Sequence, residues 1–403
     1  MVSPTLHVIG AGLAGLSAAV AAARDGWRVA LHEAAPMAGG RCRSFRCHLL
    51  DRALDNGSHL LLGANRNALA FAAAVGGGET LAVLPPRFPF LDVKTHRLWE
   101  VRPGRLPAGV WQTIRALGLT GIPHGQSVAN RLGKTSAFAH LWKPLCEAIL
   151  NTPPEQASAQ LLARVLRTVF LGGHAAARPH VAAAGLSALF SAPAEATLAA
   201  HGASLRYGRR LTAIGPHVLE FDNGPVPIRD GDRAVLAVPP WVASQLLPAL
   251  PPLATSSIVN LHFRLDHTAI LPGGMPFLAL VESLAQWLFV REDVVSVTIS
   301  AAGSLVDRPA AAIAQQVWQE IAPLLQGAPQ HLPPFRVIKE RRATLAHTPA
   351  ILRRRPGPAT HLEWLFLAGD WLSAPWPCTM EAAVASGLSA ARLALGRDDM
   401  SFA

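Results

Sequence analysis

Residues 6–41 read LHVIGAGLAGLSAAVAAARDGWRVALHEAAPMAGGR, and this stretch decides the fold. Leu6, Val8 and Ile9 predict a short buried strand that runs straight into Gly10-Ala11-Gly12-Leu13-Ala14-Gly15. Residues 13–24 are rich in Ala and Leu, hold no proline and no glycine after Gly15, and predict a helix closed by Gly26. A second strand over 28–32 ends on Glu33. Gly12 and Glu33 stand 33 − 12 = 21 residues apart, close to the roughly 20 expected of an acid that binds a ribose hydroxyl. Each part has a chemical reason. Gly10 permits the tight turn, Gly12 lets backbone meet a pyrophosphate, and Gly15 lets helix and strand pack closely. The helix start at Leu13 and Ala14 offers free N–H groups and a positive dipole end to the phosphates. Glu at position 33 favours a ribose without a phosphate. A signal peptide would also show an uncharged run over 8–23, but no basic segment precedes it and the chain continues directly into the second strand.

A chain of 403 residues, half of them hydrophobic and 15% charged, predicts a large interior shared by two domains. Beyond near misses such as 8–23, no uncharged run reaches the roughly 18–20 residues of a membrane span. The net charge of +10 invites a nucleic-acid reading. Against it, the only lysines are Lys94, Lys134, Lys143 and Lys339, and the arginines are scattered apart from Arg353-Arg354-Arg355. An anionic membrane surface is the better partner for this charge. Four cysteines, Cys42, Cys47, Cys146 and Cys378, make no disulfide framework and suit the reducing cytoplasm. Cys42, Cys47 and His48 have no second pair at ligand spacing, so no metal site is expected.

Further along, Gly39-Gly40-Arg41 is a second glycine turn, and its arginine is placed to meet the same pyrophosphate. Asp55-Asn56-Gly57-Ser58-His59 reads as a turn into an apolar strand over 60–63. Composition changes over 75–200, where helices are predicted at 138–150 and 157–171 and the block reads as a mostly helical substrate cap. Strand patterns return at 204–207, 210–214, 217–221 and 233–238, then at 257–265, 276–281, 287–290, 294–300 and 335–340, with a helix at 309–325. Residues 364–370 predict a strand ending in Gly369-Asp370, and Thr379-Met380-Glu381 opens a helix running to about 395. Thr379 suits an N-cap, and Glu381 lies in the first turn, where the dipole favours an acid.

GAGLAGL with Glu33, GGR at 39–41, DNGSH at 55–59, LAGDW at 367–371 and TMEAAV at 379–384 together resemble the flavin-dependent amine oxidase and carotenoid desaturase superfamily over the whole chain. Within it, HEAAPMAGGRCRSF, DNGSHLLLGANR, LWKPLCEAILNTPPEQAS and RRATLAHTPA are most similar to the hydroxysqualene dehydroxylase group of bacterial hopanoid synthesis. The resemblance implies an α/β fold: a Rossmann-type FAD-binding domain with a parallel sheet, interleaved with a substrate domain of mixed sheet plus helical cap. Residues 1–75, 203–245 and 355–403 would form the first, and 76–202 and 246–354 the second. It also implies FAD rather than NAD, held at Gly10, Gly12, Leu13, Ala14, Gly15, Glu33, Gly40, Arg41, Gly57, Gly369, Asp370 and Met380, with Leu211 against the adenine. Ala382 departs from the superfamily's usual glycine.

The reaction so implied is reductive removal of a hydroxyl from hydroxysqualene, giving squalene. Loss of an allylic hydroxyl needs an acid, for which His59 and then Asp55 are the candidates. A hydrophobic isoprenoid substrate, peripheral contact with the inner face of the cell membrane, and neighbouring squalene-pathway enzymes would be the partners. Carotenoid desaturation or isomerisation is the alternative. Amine oxidation fits less well, since the only tyrosine is Tyr207 and Thr379 stands at the place of an aromatic-cage tyrosine. A non-catalytic flavoprotein that carries lipid is the reading from another class.

Overall fold

The computed structural model of the chain describes residues 3–103, 122 and 125–402. The opening unit forms as its sequence predicts, with strand Thr5–Ile9, helix Leu13–Arg24 and strand Arg28–His32. Its first strand is the middle of a five-stranded parallel sheet in the order Ser204–Arg206, Arg28–His32, Thr5–Ile9, Arg233–Leu236, Leu365–Leu367. Three distant stretches of chain therefore close one sheet.

The helix Leu13–Arg24 is buried along all but its last residue, because its alanines let neighbours approach from every side. Helix Met380–Ala394 crosses it so closely that a Cβ on Gly387 would stand 2.0 Å from the Ala14 carbonyl oxygen. Helix Arg66–Ala74 and the segment around Phe190 and Leu198 fill the rest of this core. The sheet's other face packs Ile9 and Leu236 against Leu211, Leu219 and Phe221 of the antiparallel strands Leu211–Gly215, Val218–Phe221 and Gly224–Pro227.

A second sheet of seven strands runs Phe335–Leu345, Thr255–Arg264, Val294–Ile299, Trp287–Arg291, Phe277–Val281, Phe88–Asp92, Leu98–Val101. It is mixed, because Phe277–Val281 pairs in parallel with Phe88–Asp92 while the other pairs are antiparallel. Helix Ala310–Ile321 covers it through Ile313, Val317 and Trp318, which recur at helical spacing.

The block 76–202 departs from the helical cap its composition predicts. Phe88–Asp92 and Leu98–Val101 complete an edge of the large sheet. Pro89 and the lack of alternation in FPFLD hide the first of these strands. Residues near Phe190 and Leu198 pack under the opening helix rather than over a substrate. The two predicted cap helices exist but are interrupted. Over 138–150, a π-helical turn Phe138–Trp142 precedes helix Lys143–Leu150; Pro144 has no N–H to continue the regular pattern. Over 157–171, helix Ala159–Leu166 loosens into a second π-helical turn, Arg167–Leu171.

Candidate active site

The glycine turn shows three separate reasons for glycine. Gly10 has φ +104°, and a Cβ there would stand 2.4 Å from the Ala237 carbonyl oxygen. A Cβ on Gly15 would lie 1.8 Å from the carbonyl oxygen of Gly10, so helix and turn touch backbone to backbone. Around Gly12, by contrast, no protein atom lies within 4 Å of that place. The opening at Gly12 is toward the cavity it lines, which is the space a phosphate at a helix start requires. No side chain caps this helix, so its first-turn amides are left for a ligand.

The second glycine turn is fastened to the first. Gly39 N–H donates to Ala11 carbonyl oxygen at 2.8 Å, and a Cβ on Gly40 would come within 3.2 Å of Gly12 Cα. Glu33 accepts the N–H groups of Ala11 at 2.6 Å and Ala35 at 2.7 Å. A carboxylate has about four acceptor sites, so two remain for a ribose. Leu211, buried at the start of its strand, lines the same end of the cavity with Arg209, whose guanidinium lies 4.4 Å over the ring of Phe221.

Arg41 pairs with Asp370 at 2.7 Å and donates to the Ala343 carbonyl oxygen. It thereby joins the second glycine turn, the Gly-Asp turn and the large sheet. Two of its five N–H donors are used there, leaving others for a phosphate. The Gly-Asp turn itself is clamped by Arg355, the buried member of the arginine triplet. Its guanidinium donates to the carbonyl oxygens of Asp370 (2.7 Å), Trp376 (2.9 Å) and Trp371 (3.2 Å). Gly369 is required because a Cβ would collide with the Trp371 indole nitrogen at 2.4 Å.

Thr379 caps the closing helix, its hydroxyl oxygen accepting the Ala382 N–H at 3.3 Å. Ala382 itself is buried within that first turn. Met380 lines the cavity with its sulfur 3.5 Å from Cys42 Sγ. Glu381 does more than its own helix asks of it. Its carboxylate accepts the Asn67 side-chain N–H (2.7 Å) and the backbone N–H groups of Asn67 (3.2 Å) and Ala68 (3.0 Å), capping the start of helix Arg66–Ala74.

Asp55 ends a strand, Arg52–Asp55, and does not line the cavity. It accepts from Ser44 and from Leu186 N–H (2.9 Å), and pairs with Arg291 at 2.7 Å. His59 does line the cavity, with Nδ1 donating to the Gly57 carbonyl oxygen at 2.8 Å. That bond leaves Nε2 as an acceptor, and burial, with a smaller push from Arg41, lowers the ring's pKa. Gly57 sits where a Cβ would press within 3.1 Å of the Asn260 amide nitrogen. Asn260 in turn donates to the Asn56 carbonyl oxygen (3.2 Å) and accepts from Thr298 (2.9 Å), a buried bridge between turn and sheet.

One cavity of about 700 Å3 runs past both glycine turns, the Gly-Asp turn and His59 and continues between Phe88, Phe90, Val165, Phe170, Trp287 and Phe289. Its floor meets a knot at His347, which is fully buried and where two of the family-like stretches join the loop before the closing helix. His347 Nδ1 donates to the Leu150 carbonyl oxygen (2.6 Å) and Nε2 accepts the Cys378 N–H (2.8 Å), while its backbone N–H goes to Thr152 Oγ1 (2.9 Å). Burial brings its pKa down to about 4, so the ring is neutral.

The predicted cofactor residues thus meet along one cavity, except that Gly15 acts from behind by packing. Nothing in the local sequence marks Asn260, His347 or Arg355: the first two bond Asn56 and Leu150, 204 and 197 positions away, and Arg355 serves backbone carbonyls that no side chain announces. Among the described residues no group of three potential metal ligands is gathered; Cys42 and Cys47 lie in different cores.

The model of the flavin-containing amine oxidoreductase family matches residues 124–395, and that of the NAD(P)-binding Rossmann-like domain matches residues 8–75. A hydroxysqualene dehydroxylase of Rhodopseudomonas palustris is 38% identical, over 98% of this chain and 99% of its own. One of Zymomonas mobilis is 33% identical, over 96% and 98%. Among solved structures, cyclohexylamine oxidase of Brevibacterium oxydans superposes with a TM-score of 0.72 at 14% identity, over 98% of this chain and 99% of its own. Putrescine oxidase bound to putrescine gives 0.69 at 15%, over 98% and 100%. At such identities the likeness is one of fold.

Proposed function

From a chain that belongs to the flavin-containing amine oxidoreductases, and within them to the hydroxysqualene dehydroxylases, we infer an FAD-dependent oxidoreductase that converts hydroxysqualene to squalene. The observation that carries this reading is the single cavity that joins a dinucleotide cradle to an apolar chamber. A phosphate cradle alone fits many enzymes. A chamber walled by Phe88, Phe90, Phe170, Trp287 and Phe289 fits a hydrocarbon substrate. Tyr207 bonds Glu195 and does not line the chamber, so the chain's one tyrosine forms no amine cage.

The bound FAD, when reduced, supplies the hydride that replaces the hydroxyl. The chain's part is binding and exclusion. First-turn amides at Leu13 and Ala14, with Arg41, hold the pyrophosphate; Glu33 takes the ribose, Leu211 the adenine, and Asp370 with Met380 the flavin end. Apolar walls keep water from an allylic cation. His59 keeps Nε2 as an acceptor in the cavity, and Asp55 braces the turn that carries it. In this reading neither is the proton donor.

The proposed division assigns 1–75, 203–245 and 355–403 to the cofactor, joined by the segment near Phe190, and the described residues of 76–185 with 246–354 to the substrate. Access from lipid is also part of the proposal. Among the described residues no helix is long and apolar enough to cross a membrane. The chamber wall 159–171 ends in Leu171, which is 47% exposed, and carries Arg164 and Arg167 in a chain of net charge +10. This end would meet the membrane and any neighbouring pathway enzyme that delivers the substrate. Product analysis under reducing turnover tests the function. Hydroxysqualene should give squalene with the flavin-loaded protein and nothing with stripped protein; conversion of a carotenoid precursor instead would overturn the reading.

A further inference from the structure

Strand Phe335–Leu345 loses register against Thr255–Arg264. Ser256 pairs with Thr344 and Ile258 with Glu340, so Ser257 alone faces Arg341, Arg342 and Ala343. Such a bulge re-aims side chains, and bulges gather beside active sites. Here Arg341 turns to Asp307, the Arg342 guanidinium lies 5.0 Å over the Trp241 ring, and the Ala343 carbonyl oxygen receives Arg41. Glu340, at the start of the bulge, lines the cavity beside Ala343 and Thr344.

The other acids along the cavity are already engaged. Glu33 accepts two amides, Glu381 caps a helix, and Asp370 is paired with Arg41. His59 already donates its Nδ1 N–H to the Gly57 carbonyl oxygen. Burial, with His7 beside it, drives the pKa of His32 down to about 3, so this ring holds no proton to give. Burial likewise pushes the Cys378 thiol up to about 12 and the Cys42 thiol higher still. Arginines do not release a proton at all. The Glu340 carboxyl has no hydrogen bond or ion pair, alone among the cavity's carboxyl groups in the described residues. The Arg41 guanidinium, whose charge acts on Glu340, is itself paired with Asp370.

We propose that Glu340 is the acid that protonates the leaving hydroxyl, which rests on the dehydroxylation reading above. The C–O bond breaks as the proton passes from the Glu340 carboxyl to the departing oxygen, forming water. The carbon receives a hydride from anionic reduced flavin, which ends oxidised. Glu340 is left as a carboxylate and regains its proton from solvent before the next turnover. A carboxyl that lines the cavity with no protein partner has its oxygens left to bond the substrate hydroxyl.

Leaving-group chemistry tests the assignment. Anaerobic, pre-reduced wild type, Glu340→Gln and Glu340→Asp would each be given hydroxysqualene or its acetate ester, whose leaving group departs without a proton. The Gln variant should lose about 100-fold or more on the alcohol, the range a general acid supplies. It should keep its FAD content and its rate on the ester, and the Asp variant should recover part of the alcohol rate. Equal loss on both substrates would overturn the role. A second readout needs neither turnover nor a variant that folds. Wild type loaded with FAD and a saturated isoprenoid alcohol, labelled at glutamate with carbon-13, should show a protonated carboxyl band in the infrared, and its absence would also overturn the role. If wild type reduces neither substrate, the dehydroxylation reading itself fails and takes the assignment with it.

Discussion

At the scale of residues, the three glycines of the first turn separate folding from binding. Gly12 has open space where a side chain would go, whereas Gly15 has a carbonyl oxygen 1.8 Å away. Gly12→Val should therefore fold and fail to retain FAD, while Gly15→Val should not accumulate as folded protein. Circular dichroism together with the flavin released on denaturation distinguishes the two outcomes, and a Gly12→Val protein that stays yellow would contradict the cradle. Glu381 gives the complementary case. Glu381→Ala strips the acceptor from three N–H groups, and leaving buried donors unpaired costs about 1–3 kcal/mol. Urea unfolding should register that loss. These positions differ in how far they could be read in advance. Gly10, Gly12, Gly15 and Glu33 lie within one continuous unit whose spacing carries the chemistry. Glu381 was legible as a first-turn acid of its own helix, but its partners at Asn67 and Ala68 lie more than 300 positions away.

Among elements, the connection that matters most is the knot at His347, where the helix end at Leu150, the Thr152 turn and the loop before the closing helix converge. Protonation would turn Nε2 from an acceptor into a donor facing the Cys378 N–H. The folded pKa is depressed by burial from 6.5 to about 4, so the native state resists protons that the unfolded chain accepts. The stability this group contributes is present above pH 6.5 and is lost as pH falls toward 4, on the order of 3 kcal/mol in total. His347→Gln should lower stability at neutral pH and flatten the pH dependence across that window by one proton's worth. An unchanged slope would show that other groups set it. The motifs meeting here were legible as family signatures, yet their purpose was hidden. One stretch supplies the Leu150 carbonyl and the Thr152 hydroxyl, another supplies the ring and backbone N–H of His347, and the Cys378 N–H completes a junction that exists only when all three are folded. The π-helical turns at 138–142 and 167–171 were hidden for a related reason: apolar periodicity marks a helix without showing where its hydrogen bonds slip by one residue.

For the molecule as a whole, two sheets that each mix distant segments meet around one cavity. The parallel sheet was predictable because buried β strands followed by glycine turns announce themselves, and the large mixed sheet was mostly so. The share of 76–202 in both cores was not, since Pro89 and the Ala-rich run near Phe190 carry no signal of the sheet or helix they join. The exposed Leu171, one residue past the chamber-lining Phe170, predicts salt-sensitive flotation with anionic liposomes, weakened by Leu171→Glu; failure to bind at any salt concentration would rule out the membrane contact. In the proposed function this cavity joins reduced flavin to an isoprenoid alcohol. Its most direct measurement is a single turnover: the protein is reduced anaerobically, mixed with hydroxysqualene, and followed by flavin absorbance and product analysis. Oxidised flavin should return in step with squalene, one molecule for each flavin. Flavin that stays reduced while hydroxysqualene remains intact would contradict it.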